Sequence, residues 1–430
     1  MKKVKVILIG AGMRGMGYTD MMKDLDDKFQ VAGVAEPGED RRNYIKNKHN
    51  IPEEYCFDTW EKILEVPQFA DVAIISTMDR DHSGPAIKAL ALGYDLLLEK
   101  PVAPTPQECV AIRNAAKKYG RKVMICHVLR YTKFYLMLRH LLRTGAIGDV
   151  VSMIHNEPVG AVHQSHSFVR GNWGNEGRSS FMLLQKSCHD LDIIQWLLDK
   201  ECRRVQSFGS LKYFKKENAP EGAPEYCIDG CPKADECIYN AVRLYMSDEV
   251  DPGIQEWFRT AATHLIKPTP EDVEKAIRGT QYGKCVFRCD NDVVDHQVVN
   301  MEFEDDITVT FTMSAFYNTG RSTTILGTKG HIVAEVGKDQ IRIIDHENKN
   351  EQVIKDVSGI TDGSIVGGHG GGDGGIIEVL YNYITGSAQA DEVSEIDISC
   401  RNHMLVFAAE KSRLEGCVVD MEEYMKSVGM

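Results

Sequence analysis

The stretch Val4-Lys5-Val6-Ile7-Leu8-Ile9-Gly10-Ala11-Gly12-Met13-Arg14-Gly15 decides the fold of the first part of the chain. Its apolar, β-branched start is typical of a buried parallel strand. The glycines that follow form a GxGxxG pattern, in which the backbone turns tightly and approaches a pyrophosphate at the N-terminus of a helix. Because glycine-rich turns are common, the flanking sequence has to supply the context.

The residues after the glycines supply that context. A helical pattern over residues 18–25 leads to a second apolar strand over residues 30–35, which ends at Glu36. A carboxylate about 20 residues after the glycines is expected to bind the adenosine ribose of NAD. Arg41 and Arg42 follow and could accept the 2′-phosphate of NADP instead, so the sequence favours NAD and leaves NADP open. We expect the dinucleotide to contact Gly10, Gly12, Met13, Arg14, Gly15, Glu36 and Arg41.

The α/β alternation continues to residue 127. A strand over residues 71–77 ends at Thr77, which His82 follows closely, and a strand over residues 96–98 ends at Glu99 and Lys100. Ligands bind at the carboxyl ends of parallel strands, so all four residues are cofactor candidates. For His82, a helix-capping or surface role is an equal alternative. Lys100 can also reach a substrate hydroxyl, which makes it a catalytic candidate.

Length and composition set the remaining bounds. The chain has 430 residues, which suggests two domains, and we place them at 1–127 and 128–430. Its net charge of −13 argues against nucleic acid or an anionic membrane as the main partner. The apolar start resembles a signal peptide, but Lys5 and Arg14 interrupt it and no cleavage site follows. We therefore expect a cytoplasmic protein.

A polar loop over residues 161–173 suits the recognition of a hydroxyl-rich ligand. It carries His166, Arg170 and Trp173, and an aromatic beside polar groups can bind the two faces of a sugar. The alternative is an ordinary surface loop. We expect these three residues to contact the substrate.

The segment over residues 186–198 predicts an amphipathic helix with chemistry on one face. Lys186, His189 and Asp190 are three and four residues apart, so they share that face. Oxidation of an alcohol needs a base for the hydroxyl proton, and histidine serves near neutral pH. His189 and Lys186 are therefore catalytic candidates, and Asp190 is a substrate candidate.

Cysteines form a second constellation, within an insertion predicted at about residues 215–285. Cys227, Cys231 and Cys237 lie close together in the sequence, and Cys289 returns later. Four thiolates can hold a structural zinc. The alternative is a set of reduced, buried thiols, so zinc is a candidate cofactor only.

A glycine-rich segment over residues 367–375 lacks the Lys-Ser/Thr ending of a nucleotide-binding P-loop. Its glycines could let the backbone approach a ligand, with His369 and Asp373 as polar contacts; the alternative is a hinge before a helix. Strands are predicted before it, over residues 298–303, 307–316, 322–326, 331–336 and 340–345.

Three blocks in order resemble the glucose–fructose oxidoreductase/inositol dehydrogenase/MocA (Gfo/Idh/MocA) family. They are Gly10-Ala11-Gly12, Glu99-Lys100-Pro101 and Ser187-Cys188-His189-Asp190-Leu191-Asp192, and the segment that starts at Arg130 is also similar. The resemblance implies an α/β doubly wound Rossmann domain followed by an α+β domain with a large, open, mostly antiparallel sheet. It implies NAD(P)-linked hydride transfer to or from a sugar or polyol, by a homodimer or homotetramer. His127, Arg130 and Gln185 then join the substrate candidates.

The resemblance leaves the net reaction open. Inositol-dehydrogenase members carry an aspartate four residues before this histidine, where the chain has Gln185. Glutamine can orient a substrate but cannot accept a proton, so a substrate other than inositol is expected. Two alternatives to a dehydrogenase are a glycosidase or lyase that oxidises its sugar transiently, and a non-catalytic sensor that binds the cofactor.

Overall fold

A six-stranded parallel sheet forms the first layer of the computed structural model, which describes residues 3–360 and 368–430. The strand order is β3-β2-β1-β4-β5-β6. The strands are β1 (Val4–Ile9), β2 (Phe29–Ala35), β3 (Cys56–Phe57), β4 (Val72–Ile75), β5 (Asp95–Leu98) and β6 (Val123–Ile125). The connecting helices are α1 (Met13–Asp24), α2 (Glu39–His49), α3 (Trp60–Ile63), α4 (Ser83–Leu92) and α5 (Pro106–Tyr119).

The central strands of this sheet are buried on both faces, which explains their continuous apolar sequence. Leu8 of β1 and Ile74 of β4 pair side by side, and both are fully buried. The strand order reverses direction between β1 and β4, which opens a crevice at their carboxyl ends. The predicted doubly wound Rossmann fold is confirmed.

A nine-stranded sheet forms the second half, in the order β14-β13-β12-β11-β7-β10-β9-β8-β15. Only β7 and β10 pair in parallel among the described strands of this sheet. The strands are β7 (Val150–Pro158), β8 (Cys202–Ser210), β9 (His296–Phe303), β10 (Thr308–Ser314), β11 (Ser322–Gly327), β12 (Gly330–Glu335), β13 (Gln340–Asp345), β14 (Glu351–Lys355) and β15 (Val419–Asp420). The predicted open, mostly antiparallel sheet is confirmed.

Helices of the second half cover this sheet and build an inserted unit between β8 and β9. The helices are α6 (Lys133–Arg143), α7 (Ala161–His163), α8 (Met182–Gln185), α9 (Cys188–Leu198), α10 (Ala241–Met246), α11 (Pro252–Thr263), α12 (Pro270–Gly279), α13 (Gly372–Thr385), α14 (Ile396–Glu415) and α15 (Met421–Ser427). A π-helical turn, Gln164–Arg170, continues from α7. The inserted unit holds α10, α11 and α12, and Asp251 caps α11 by accepting hydrogen bonds from the N–H groups of Gly253 and Ile254.

Helix α13 joins the two halves because it packs on the first sheet although it follows the second in sequence. Ile377 and Leu380 of α13 are fully buried in the hydrophobic core that also holds Tyr18 and Met124. The ring of Tyr381 meets the ring of Phe29 at a centroid distance of 5.6 Å. The first core is therefore completed by a helix from outside residues 1–127.

We expect the substitution Leu380→Ala to lower the free energy of unfolding by about 2–5 kcal/mol, because it leaves a cavity between α13 and the first sheet. Urea denaturation measures the change. Leu414→Ala is the matched control, since the Leu414 side chain on α14 is 68% exposed, and it should cost less than about 1 kcal/mol. Equal costs for the two variants would contradict this packing role.

Candidate active site

The glycine loop lies at the crevice between β1 and β4, and its glycines have different reasons to be glycine. Gly10 has a φ of +89°, and a Cβ there would lie 2.6 Å from the carbonyl oxygen of Ser76. A Cβ on Gly15 would collide with the carbonyl oxygen of Gly10. A Cβ on Gly12 would meet no heavy atom of residues 3–360 or 368–430 within 4 Å. The fold needs Gly10 and Gly15, whereas Gly12 faces open space that a pyrophosphate can enter.

The start of α1 fits a dinucleotide in charge as well as in shape. Gly12 is the N-cap residue and offers no side-chain acceptor, so the N–H groups from Met13 onward begin the helix without a cap. Helix N-termini of this kind attract phosphate through their N–H groups and dipole. Both observations fit the predicted contact of Gly12 and Met13 with the cofactor.

Glu36 holds the glycine loop and lies where the adenosine ribose is expected. Its Oε2 accepts a hydrogen bond from the Ala11 N–H at 2.6 Å, and its Oε1 accepts one from the Gly38 N–H at 2.9 Å. Arg42 donates to the carbonyl oxygens of Glu36 and Pro37. Arg41 lies beside them, and its buried Nε has no hydrogen-bond partner in the described part of the chain.

Arg14 lies in a buried ion cluster that links the two halves. Its Nε donates to Glu99 Oε1 at 2.8 Å, and its Nη1 and Nη2 each donate to Asp373 at 2.8 Å. It also donates to the hydroxyl of Tyr18. Burial would raise the pKa of Asp373, but hydrogen bonds from His369 and Arg14 outweigh it and lower that pKa. The structure thus gives Arg14 carboxylate partners, while its predicted contact with the cofactor stays a prediction.

The ends of β4 and β5 are tied together next to this cluster. Glu99 accepts from the Tyr18 hydroxyl at 2.6 Å and from the Lys100 N–H at 2.9 Å. His82 is buried, with Nδ1 2.8 Å from the Pro101 carbonyl oxygen and Nε2 3.3 Å from the Thr77 carbonyl oxygen. These contacts fix the loop that presents Lys100.

Lys100 reaches from the first domain to the second. Its Nζ donates to the carbonyl oxygen of Gln185 at 2.9 Å. Gln185 ends α8 and is buried; its side-chain amide donates to the Ser180 carbonyl, and its Oε1 has no partner within the described residues. Lys100 and the predicted second-domain residues therefore meet at one place.

His189 lies in the first turn of α9, at the centre of this place. It is buried, its ring lies 6.1 Å from the rings of both His127 and His369, and its Nδ1 is unpaired as far as the structure describes the chain. Burial first, and then the charge of Lys100, lower the pKa of His189 well below its ordinary value. His189 is therefore neutral near pH 7 and can accept a proton.

Lys186 and Asp190 enter a charge network on the side of β7. Arg321 Nε lies 2.7 Å from Asp190 Oδ1 and 2.6 Å from Glu157 Oε2. Lys186 Nζ lies 3.3 Å from Glu157 Oε1, and His155 Nε2 lies 3.1 Å from Asp190 Oδ1. Burial lowers the pKa of Lys186, which the Glu157 carboxylate partly offsets. The Oδ2 of Asp190 is buried and unpaired among the residues described here.

Sequence reasoning missed Glu157, Arg321 and His155. Glu157 and His155 lie at inward positions of β7, where a buried charge needs a partner. A charged residue at an inward strand position was the available signal, but nothing in the sequence says that Arg321 is its partner.

Arg130 and His127 both lie beside Asp192 of α9. Arg130 forms two hydrogen bonds of 2.7 Å with Asp192, which makes it part of a buried ion pair. His127 Nε2 lies 3.6 Å from Asp192 Oδ1, and neither ring nitrogen has a hydrogen-bond partner in the ranges that the structure covers. Burial lowers the pKa of His127 to about 3.

The structure does not bring His166, Arg170 and Trp173 into contact with His189. His166 stacks on Phe258 of α11 at a centroid distance of 3.9 Å and contacts the Tyr245 hydroxyl at 2.7 Å. Arg170 donates to backbone carbonyls of the inserted unit, and Trp173 is 37% exposed. Their predicted role in substrate binding stays a prediction.

The predicted structural zinc is not supported. Across residues 3–360 and 368–430, no group of three or more His, Cys, Asp or Glu residues is arranged to hold a metal ion. Cys227, Cys231, Cys237 and Cys285 line a cavity together with Arg170, whose Nη2 lies 3.7 Å from Cys227 Sγ. Burial raises the pKa of Cys289 to about 12. The Arg170 guanidinium therefore shares this cavity with the thiols.

Comparison with known proteins assigns the family. The family model described as "Oxidoreductase family, NAD-binding Rossmann fold" matches residues 4–127. The model described as "Oxidoreductase family, C-terminal alpha/beta domain" matches residues 139–359. The chain belongs to the Gfo/Idh/MocA oxidoreductase family. The sequence-based predictions of the family and of an NAD-linked oxidoreductase are confirmed.

The three relatives described next share at most 24% of their aligned residues with this chain. YteT of Bacillus subtilis (strain 168) is 23% identical over 407 residues, which cover 87% of this chain and 88% of that protein. Inositol 2-dehydrogenase of Salmonella typhimurium (strain LT2) is 24% identical over 206 residues, covering 48% of this chain and 57% of that enzyme. An oxidoreductase domain protein from Kribbella flavida superimposes with a TM-score of 0.70 at 15% identity, covering 98% of this chain and all of that one.

A second solved structure with the same fold contains bound NAD+. An oxidoreductase from Agrobacterium radiobacter, in complex with NAD+, L-tartaric acid and magnesium, superimposes with a TM-score of 0.67 at 13% identity and covers 98% of this chain and 99% of that one. Identities this low show a shared fold alone.

No helix within the described ranges is both long and apolar enough to cross a bilayer.

The two glycines separate folding from cofactor binding. We expect Gly10→Ala to lower the free energy of unfolding by more than about 1 kcal/mol, because a side chain there is strained and strikes Ser76. Gly12→Ala should leave that free energy within about 0.5 kcal/mol and weaken NADH binding, since its methyl group enters the space for the pyrophosphate. Urea denaturation and NADH fluorescence measure the two effects. Unchanged NADH affinity in Gly12→Ala would contradict the placement of the cofactor.

Buried neutral histidines predict a loss of stability in mild acid. Burial, and then the charge of Arg170, lower the pKa of His166 to about 3, so below pH 6.5 the unfolded chain binds a proton that the folded chain refuses. Stability is then complete above pH 6.5 and is lost as the pH falls toward 3. Between pH 7 and pH 5, the free energy of unfolding should fall by about 2 kcal/mol more in the wild type than in His166→Gln. Equal losses in urea titrations at the two pH values would contradict this.

Proposed function

We propose that the protein is an NAD-dependent dehydrogenase that oxidises a hydroxyl group of a sugar, a polyol or a sugar derivative, or reduces the corresponding carbonyl. One observation carries the proposal. Lys100 extends from the nucleotide-binding domain to Gln185, which lies two residues before Ser187, the N-cap residue of the helix α9 that holds His189. A charged donor and a neutral acceptor thus converge at the end of the crevice that begins at the glycine loop.

The residues of the chain divide the proton chemistry between them. His189 is neutral and buried, so it can accept the hydroxyl proton of a substrate as hydride leaves the carbon. The Lys100 ammonium can donate a hydrogen bond to the same oxygen and stabilise the negative charge that develops on it. Bound NAD would supply the hydride acceptor. Glu36, Gly12 and the N-terminus of α1 would hold it.

The unpaired atoms around His189 indicate the chemistry of the substrate. Gln185 Oε1 and Asp190 Oδ2 are buried acceptors that lack a donor among the described residues. A buried acceptor without a donor costs free energy, and a hydroxyl group of a ligand or a water can remove that cost. Several hydroxyl groups on one molecule therefore match this place, which supports a sugar or polyol substrate.

Relatives support the same substrate class without naming the molecule. Inositol 2-dehydrogenases are among the proteins similar in sequence, and an aldose-aldose oxidoreductase from Caulobacter crescentus is among those similar in structure. Gln185 cannot accept a proton, so we propose a substrate other than inositol. The carboxylate of Glu36 at the ribose position favours NAD over NADP, although Arg41 is close by.

We further propose that the protein is a cytoplasmic homodimer or homotetramer. Apolar side chains on β7, β8, β11 and β14 support an oligomer because they are exposed on the large sheet. They are Val151, Ile154, Phe208, Leu326 and Val353. An apolar surface of this kind is typical of a face that another subunit covers.

Substitution of the two proton-handling residues tests the dehydrogenase. A panel of sugars, polyols and sugar acids is screened by nicotinamide absorbance with NAD and with NADP. On the substrate found, Lys100→Met and His189→Ala should each lower kcat by about 100-fold or more while NADH affinity changes little. Lys88→Met, an exposed lysine on α4, is the matched control. Full activity in either variant would refute the assignment.

The same material separates the dehydrogenase from the two alternatives. A 2,7-anhydro-N-acetylneuraminate hydratase from Escherichia coli, 25% identical over 208 residues, shows by its name that similar chains need not catalyse net oxidation. Release of phenol from an aryl glycoside without net NADH formation would support transient oxidation instead. Tight NADH binding with no turnover of any compound, and no effect of Lys100→Met, would support a sensor.

A further inference from the structure

The inserted unit between β8 and β9 contacts both the segment that follows β7 and the first turn of α2 in the nucleotide-binding domain. Its helix α11 packs against the polar segment that follows β7, where the rings of Trp257 and His163 lie 5.1 Å apart. The charge of Lys186 is among the causes that lower the pKa of His163, after burial. The middle of α11 therefore packs beside His163, on the side of the site where Lys186 lies.

The loop that follows the C-terminal end of α11 reaches the nucleotide-binding domain. The loop between α11 and α12 contains Ile266, whose N–H donates to Asp40 Oδ2 at 3.0 Å. Asp40 lies in the first turn of α2, directly after the end of β2. From Trp257 to His264, α11 advances about 10 Å. The inserted unit thus bridges the distance between the catalytic cluster and the adenosine end of the crevice.

His264 of this loop lies close to the residues of the ribose position. Partial burial lowers the pKa of His264, the positive charge of Arg41 lowers it further, and the carboxylate of Glu36 raises it. These effects require the imidazole to be near both side chains. Part of the His264 side chain remains exposed to solvent. The buried Nε of Arg41 lacks a partner in the part of the chain that is described. Polar groups of both domains therefore lie near Glu36, namely Asp40 and Arg41 of the first domain and His264 of the inserted unit.

We propose that the loop over residues 263–267 closes over the adenosine ribose of the bound dinucleotide, with His264 in contact with the ribose and Asp40 as the positioning residue that holds the loop. The proposal rests on NAD binding by the glycine loop. The nicotinamide end is held between the two domains at Lys100, and the inserted unit then holds the adenosine end in the same way. Both domains then contact the cofactor at its nicotinamide end and at its adenosine end.

Comparison of a full dinucleotide with a half cofactor tests the loop directly. NADH carries the adenosine, whereas reduced nicotinamide mononucleotide lacks it and keeps the nicotinamide half. Asp40→Ala removes the acceptor for Ile266 N–H, and His264→Gly removes the imidazole without backbone strain, since His264 has a φ of 59°. Each variant should bind NADH about tenfold more weakly and bind the mononucleotide as the wild type does. Fluorescence titration of the full-length protein measures both dissociation constants.

Matched variants show whether the effect belongs to the loop. Asp40→Asn keeps an oxygen that can accept from Ile266 N–H and should restore most of the NADH affinity. Asp27→Ala removes an exposed carboxylate that precedes β2, at the end of the strand opposite to Asp40, and should change neither constant. Thermal unfolding monitors the fold of every variant.

Three results would overturn the proposal. The first is wild-type NADH affinity in Asp40→Ala or His264→Gly. The second is an equal loss of NADH and mononucleotide binding, which would indicate a general disturbance of the crevice. The third is a wild-type protein that binds neither NADH nor NADPH, which would overturn the proposed function as well.

Discussion

A partly buried guanidinium needs hydrogen-bond acceptors, and Arg14 takes its two carboxylate acceptors from two distant parts of the chain. Arg14 stands one residue into α1, Glu99 at the end of β5, and Asp373 in the first turn of α13. Removing one carboxylate would leave the guanidinium, which is only partly exposed, without one of its two charged partners. This cluster therefore fixes the glycine loop, the catalytic strand end and the second half of the chain relative to one another. His369, which contacts Asp373, extends the same constraint to His189.

The electrostatics of the site follow from that burial. His127, His189 and His369 share one poorly solvated region, and burial is the largest cause that lowers the pKa of each. Lys100 adds a positive charge beside them, which disfavours imidazolium further. The site is thus organised as one cationic donor facing neutral acceptors. In the proposed reaction the free lone pair of His189 would accept the hydroxyl proton, and the Lys100 ammonium would stabilise the alkoxide, since the lowered pKa by itself makes the imidazole a weaker base.

The sequence predicted the parts of the site that local physics determines. A strand followed by spaced glycines places Gly12 at a helix N-terminus, and Glu36 follows from the length of one strand–helix–strand unit. Lys100 follows from the end of another strand, and His189 from a block that resembles a family. The sequence could not predict the partners of Arg14 or the position of Arg321, because these depend on contacts between residues 85 or more positions apart. It also gave no sign that His264 lies beside Glu36.

The zinc prediction is a second example of what the sequence alone could not decide. Clustered cysteines in the sequence are compatible with a metal site, but no metal-binding arrangement of them is found among the described residues, and the side chain of Arg170 lies in the same cavity as four of the thiols. The sequence by itself determined the Rossmann unit and the family, and it supplied the candidates for proton transfer, because strand period, glycine spacing and residue type are local properties. Only the tertiary structure decided which of these residues meet, because buried charges and unpaired polar atoms are satisfied by whatever the packing brings within hydrogen-bonding distance.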